Sequence, residues 1–270
     1  MTPEQAKKHR LFVYAMPIDD KEAIEYIDDI LNKGAGWAGG CFSGLGNRYA
    51  AIHGLYAWFV DQDLAAAKQW FYLAAKLIAV STTKPVGFSD LWIPHDFMYP
   101  LLSDSPEAIK LFSEVEIPAI TRPKPCYPKN SGEKSLLAQL TIKRDDVQLA
   151  KMIDQLDAKL SKRKKPPQFD MAYVDFYHGL LSGNIAQMEQ ALAYFTTIKY
   201  EDSTTQDFLA FYAVVLCKLA WLRGFEVQVD HPRVPMAFMP VNPLPFYDDV
   251  YEFLKPGWVA PPPPPEYAAK

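Results

Sequence analysis

Residues 204–240 read TTQDFLAFYAVVLCKLAWLRGFEVQVDHPRVPMAFMP, and from Phe208 to Leu222 every side chain is apolar except Lys218. A helix apolar on nearly all sides belongs at the middle of a larger helical assembly. A run this short, broken by a lysine, does not span a bilayer. Thr204 and Asp207 have capping-box spacing, which places the helix start there. Arg223 and Gly224 make a stop: a cation in the last turn, then a residue that readily turns left-handed. Beyond it, Phe225, Val227 and Val229 alternate with Glu226, Gln228 and Asp230, the period of a short extended segment. Pro232, Pro235 and Pro240 then prevent a return to regular helix.

Upstream, the chain repeats one grammar. Asn47–Val60 turns at Asp61–Asp63 into Leu64–Val80, and Leu91–Leu101 turns at Asp104 into Pro106–Phe112. Glu133–Lys143 turns at Asp145-Asp146 into Val147–Leu160, and Asp170–Leu181 turns at Gly183-Asn184 into Ile185–Ile198. Asp63, Asp104, Asp146 and Asn184 are caps or one position from a cap. They recur about every 40 residues, the spacing of stacked helical hairpins. Positions four past each marker (Ala67, Ala108, Ala150, Met188) and seven past (Trp70, Leu111, Ile153, Ala191) are apolar. The expected fold is all-α: stacked helical hairpins, solenoid-like or as an irregular bundle, with a short extended C-terminal segment.

Thr2-Pro3-Glu4-Gln5 is a helix start. Asp19 and Glu22 open a second helix, with an apolar stripe of Ile24, Ile27, Ile30 and Leu31. Its other face carries Glu22, Glu25, Asp28 and Asp29. The run GAGWAGGCFSGLG (34–46) contains G-x-G-x-x-G, but a helix precedes it where a dinucleotide site needs a strand; it reads as a flexible loop or a close helix approach. Residues 117–129, with four prolines, form a surface connection. Lys162–Lys165 complement a helix C-terminus and keep a linker soluble. APPPPPEYAAK ends the chain as a polyproline tail.

At 270 residues and 49% hydrophobic, the chain can bury the core of a single helical domain over 1–255, with possible sub-halves 1–116 and 130–255 and a flexible tail at 256–270. A net charge of −4 supplies no basic surface for nucleic acid. The start has no apolar run of the kind a signal peptide needs. Cys41, Cys126 and Cys217 are few and odd in number, which fits a reducing compartment, the cytoplasm. Nothing suggests a membrane partner.

The chain carries few residue patterns that point to chemistry. There is no H-E-x-x-H, C-x-x-C, P-loop or G-x-S-x-G. His9, His53, His95, His178 and His231 are scattered singly. Asp230-His231 serves a turn, and Cys41 reads as a small buried thiol. No catalytic, cofactor or metal residue is assigned.

The order of hairpins, then FYHGLLSGNIAQMEQAL (176–192), then the apolar helix running into its extended segment, resembles the immunity protein 49 family of polymorphic-toxin immunity proteins. Ala220–Gly224, Glu226-Val227, Asp230-His231-Pro232, Pro235, Tyr247–Leu254 and the Gly183-Asn184 turn carry the resemblance. It implies a cytoplasmic, mostly helical, non-enzymatic protein. Its partner would be a cognate toxin effector domain, of the kind type VI secretion delivers, neutralised by occlusion and without a cofactor. The residues alone equally suit a helical-repeat adaptor and leave room for an enzyme of unrecognised type. The partner-binding candidates are the acidic face Glu22, Glu25, Asp28 and Asp29, with Trp37 as an aromatic anchor beside it.

Overall fold

A computed structural model describes residues 20–33, 35–82, 95–117, 129–198 and 207–259. The initial helix start at Thr2, the Asp19 cap, the proline-rich connection at 118–128 and the tail from 260 onward lie outside them. Among the described residues the chain is helical and forms no strand.

One turn, made four times, sets the architecture. Gln62, Asp104, Arg144 and Gly183 all adopt positive φ. Each is followed at once by a capping side chain. Asp63 accepts from Ala66 N–H, Ser105 from Ala108 N–H, Asp145 from Gln148 N–H and Asn184 from Gln187 N–H. A left-handed residue ends one helix and the next residue's oxygen starts another, so the chain reverses within a few residues. Ser105 and Asp145, not Asp104 and Asp146, are the caps at the middle turns. The spacing of about 40 residues survives this shift by one.

The helices so joined are α1 (Asp20–Lys33), α2 (Ala35–Gly44), α3 (Ala51–Phe59), α4 (Leu64–Thr82), α5 (His95–Ser103), α6 (Pro106–Glu114), α7 (Lys129–Lys143), α8 (Asp146–Leu160), α9 (Gln168–Ser182), α10 (Ile185–Thr197) and α11 (Phe211–Leu222). From α3 to α11 each helix packs on its successor in sequence, as stacked hairpins do. Helix α11 then also meets α5 and α7. That position explains its sequence: Phe211 through Ala220 are all buried, Lys218 included.

The glycine-rich stretch is not a loop. It forms α2 and continues through a π-helical turn, Leu45–Ala50, into α3. Close approach is what Gly44 and Gly46 provide. A Cβ on Gly44 would lie 2.8 Å from the Tyr26 ring, and one on Gly46 would lie 3.1 Å from the Ala74 carbonyl oxygen.

Helix α11 begins later than its sequence suggests. Phe208, Leu209 and Ala210 are buried but not helical, and Ala210 caps α11 without a side-chain hydrogen bond. Ala210 N–H instead donates to the Arg233 carbonyl at 2.9 Å, so the returning chain holds this backbone out of the helix. Thr204 lies outside the described residues. The stop is as expected: Gly224 has φ +90, Phe225 N–H reaches the Ala220 carbonyl and Gly224 N–H that of Trp221. These two bonds form a Schellman motif.

From Gly224 to residue 259 the chain runs without regular structure apart from two single 3-10 turns, Met236–Phe238 and Glu252–Leu254. Val227 and Val229 are buried while Glu226, Gln228 and Asp230 face outward, as their alternation predicts. Helix side chains, not a neighbouring strand, satisfy this backbone. Trp221 Nε1 donates to the Val227 carbonyl, and Glu189 Oε1 accepts from Gln228 N–H.

Candidate partner-binding surface

The most concentrated charge in the described interior is structural. Lys218 Nζ lies 2.5 Å from Asp104 Oδ1 and Lys68 Nζ 2.7 Å from Asp104 Oδ2. Lys218 also donates to the carbonyls of Phe238, Met239 and Pro240, and Lys68 to that of Asn242. Asp104 Oδ2 accepts from Asn242 N–H. Every polar group of the cluster is thus directed at its partners or at the backbone of 238–242. Burial pushes the Lys218 ammonium below the usual lysine range, and the Asp104 carboxylate opposes that shift. Sequence reading placed Asp104 at a turn and did not anticipate this cluster. Its one signal was Lys218, the only charge in an otherwise apolar helix.

Residues 225–259 form a strap over the helices that is clasped along its length. Gln69 Nε2 donates to the Asp248 carbonyl at 2.7 Å, and Asp248 N–H donates back to Gln69 Oε1 at 3.0 Å. Tyr247 donates its hydroxyl to the Ser103 carbonyl. Tyr72 donates to Asp249 and Glu107, and its pKa is pushed well up, first by burial and then by those carboxylates. The Asp248-Asp249 pair therefore belongs to the strap.

No reaction centre emerges among the described residues. No group of three His, Cys, Asp or Glu side chains is placed to hold a metal. Burial pushes the Cys217 thiol up to about 12, which keeps it protonated and unreactive. Cys41 is buried, its Sγ 3.9 Å from Asp29 Oδ2. His53 stacks on Trp70 with ring centroids 4.6 Å apart, and His231 Nδ1 accepts from Arg233 N–H in a turn.

The outer surface is more varied. On α1, Glu25 and Asp28 are exposed, whereas Asp29 is half-buried and directed at Cys41. The side chains of Glu22 and Trp37 lie outside the described residues. The apolar stripe differs from its expectation: Ala23 and Ile30 are buried, while Ile24 is 52% and Leu31 42% exposed. Helix α1 packs on α2 and the π-helical turn, which cover one side of it. Lys162–Lys165 are exposed and make no ion pair among the described residues. Between α9 and α10 lies an open groove of about 620 Å³, whose lining includes Gln168, Met171, Asp175, Gln187, Gln190 and Tyr194. No helix among the described residues is long and apolar enough to cross a membrane.

The described residues thus stack as helical hairpins and offer exposed faces and one open groove. Residues 131–238, which run from α7 through α11 into the strap, match the family model described as Immunity protein 49. The match supports placing the chain in the immunity protein 49 family, as the sequence resemblance implied. It leaves α1 and its acidic face outside the matched stretch. No curated protein and no solved structure matches the chain.

Proposed function

We propose that this protein is an immunity protein that binds a cognate antibacterial toxin effector domain in the cytoplasm and neutralises it by occlusion, without catalysis. The family match over α7–α11 carries this reading. Type VI delivery of the toxin belongs to the same proposal. The acidic face of α1 contributes to encounter. Glu25 and Asp28 face outward beside the exposed Ile24 and Leu31, a combination suited to a basic, partly apolar surface. Glu22, Asp29 and Trp37 complete the candidate set, with Asp29 its least available member because it is turned toward Cys41.

Co-expression tests the reading. The toxin domain encoded beside the chain's own gene should arrest growth alone, and this chain should restore growth and co-elute with that domain. Restored growth without a complex would point to indirect protection. Continued arrest in the presence of well-folded protein would overturn the assignment.

A further inference from the structure

We infer that the groove between α9 and α10 is a docking site for an extended peptide segment of the toxin, one that presents its backbone to glutamine side chains and a cationic side chain to Asp175. The inference rests on the immunity reading and names the surface through which it works.

The groove lies within the stretch that matches the family, and at about 620 Å³ it is of the size that holds a ligand. Its lining is rich in amides. The side chains of Gln168, Gln187 and Gln190 make no hydrogen bond among the described residues, and Asp175 is exposed without an ion pair. An amide offers donor and acceptor together, which is what a peptide backbone requires of its partner. The rest of the molecule shows the pairing at work. Gln69 holds both the N–H and the carbonyl of Asp248 in the extended strap. Gln139 donates to the carbonyls of Phe112 and Val115, where the chain leaves α6. On α10 itself, Glu189 accepts from Gln228 N–H of the extended segment. In each of these a helix side chain grips backbone that lacks a ladder, and the groove presents amide groups of that kind to solvent.

Charge and shape define the occupant further. Asp175 is the only charged side chain among the described lining residues, so an arginine or lysine is favoured there and an acidic residue is disfavoured. Met171, 44% exposed, and the half-buried Tyr194 supply apolar contact for a neighbouring side chain. Methionine and tyrosine suit such a role because one adapts its shape and the other adds area at small entropic cost.

The test uses the full chain and an inactivated form of the toxin domain encoded beside its gene. Asp175→Lys and Gln190→Arg alter exposed positions, and Val147→Glu on α8 is the control, at a side chain 78% exposed and outside the groove. Circular dichroism and melting confirm that each variant folds. The groove variants should weaken the complex by about tenfold or more, mainly through faster dissociation, while the control binds like the parent. An array of overlapping peptides from the toxin domain should show one segment that binds the parent and loses binding to Asp175→Lys. Unchanged affinity of both groove variants, in a parent that does bind the toxin, overturns the groove and leaves the immunity reading intact. A folded parent that neither binds nor protects overturns both.

Discussion

Lys218 Nζ sits 2.5 Å from Asp104 Oδ1 with both side chains fully buried, and so ties the central helix to the turn between α5 and α6. Lys68 shares the carboxylate from the other side. The three ionised groups would carry a net positive charge, which the carbonyls of 238–242 help to satisfy. Removing the shared anion is therefore more damaging than removing either cation. Asp104→Asn should cost about 3–5 kcal/mol, since it leaves two buried ammonium groups without a counterion. Lys218→Met should cost less, because Lys68 and Asp104 remain a balanced pair. Urea unfolding followed by circular dichroism measures both, and a cost below about 1 kcal/mol for Asp104→Asn would show the cluster to be dispensable.

Two helical glycines should respond in opposite directions. A Cβ on Gly179 would stand 2.9 Å from Met188 Cγ and 3.1 Å from both Asn184 O and Met188 N. Backbone cannot yield as a flexible side chain does, so Gly179→Ala should destabilise by about 1–3 kcal/mol. Gly40, exposed on α2, has no atom of the described residues within 4 Å of its added Cβ. Gly40→Ala should stabilise by roughly 0.5–1 kcal/mol through helix propensity. Thermal melts of the pair decide the matter, and shifts of the same sign would contradict the packing described.

Cys217 gives a signed dependence on pH. Burial raises its thiol from an ordinary value of 9.0 to about 12 in the folded chain. The folded state thus keeps a proton that the unfolded state releases, and stability falls as pH rises across that window. The parent minus Cys217→Ala difference in unfolding free energy should be flat below pH 9.0 and decline toward about 12. Taking the difference removes the tyrosines and Lys218, which titrate in both proteins. A difference that stays constant through the alkaline range would show that the thiol is accessible to water.

Charge reversal on α1 tests steering. Replacing Glu25 and Asp28 with lysine alters exposed positions. With a basic toxin surface, association should slow several-fold and lose much of its salt dependence, with dissociation little changed. Stopped-flow association at two ionic strengths gives the answer. Equal rates would remove this face from the encounter and leave α1 a solvated helix.

Local chemistry was legible in the sequence wherever one residue decides one conformation. Gly224 ended α11 because glycine takes φ +90 without strain, and Asp63 and Asn184 capped the helices that follow them. The apolar run from Phe211 announced a buried helix because no face of it tolerates water. The tertiary structure alone decided where α11 begins, since Arg233, distant in sequence, holds Ala210 out of the helix. It alone made Asp104, one position from the Ser105 cap, the counterion of two lysines on different helices. The groove likewise exists only once α9 and α10 lie side by side: Asp175 and Gln190 are unremarkable in their own helices and share a wall only after folding. Periodicity and turn chemistry act within a few residues of each other, whereas buried charge pairs and grooves depend on distances that only the packed chain fixes.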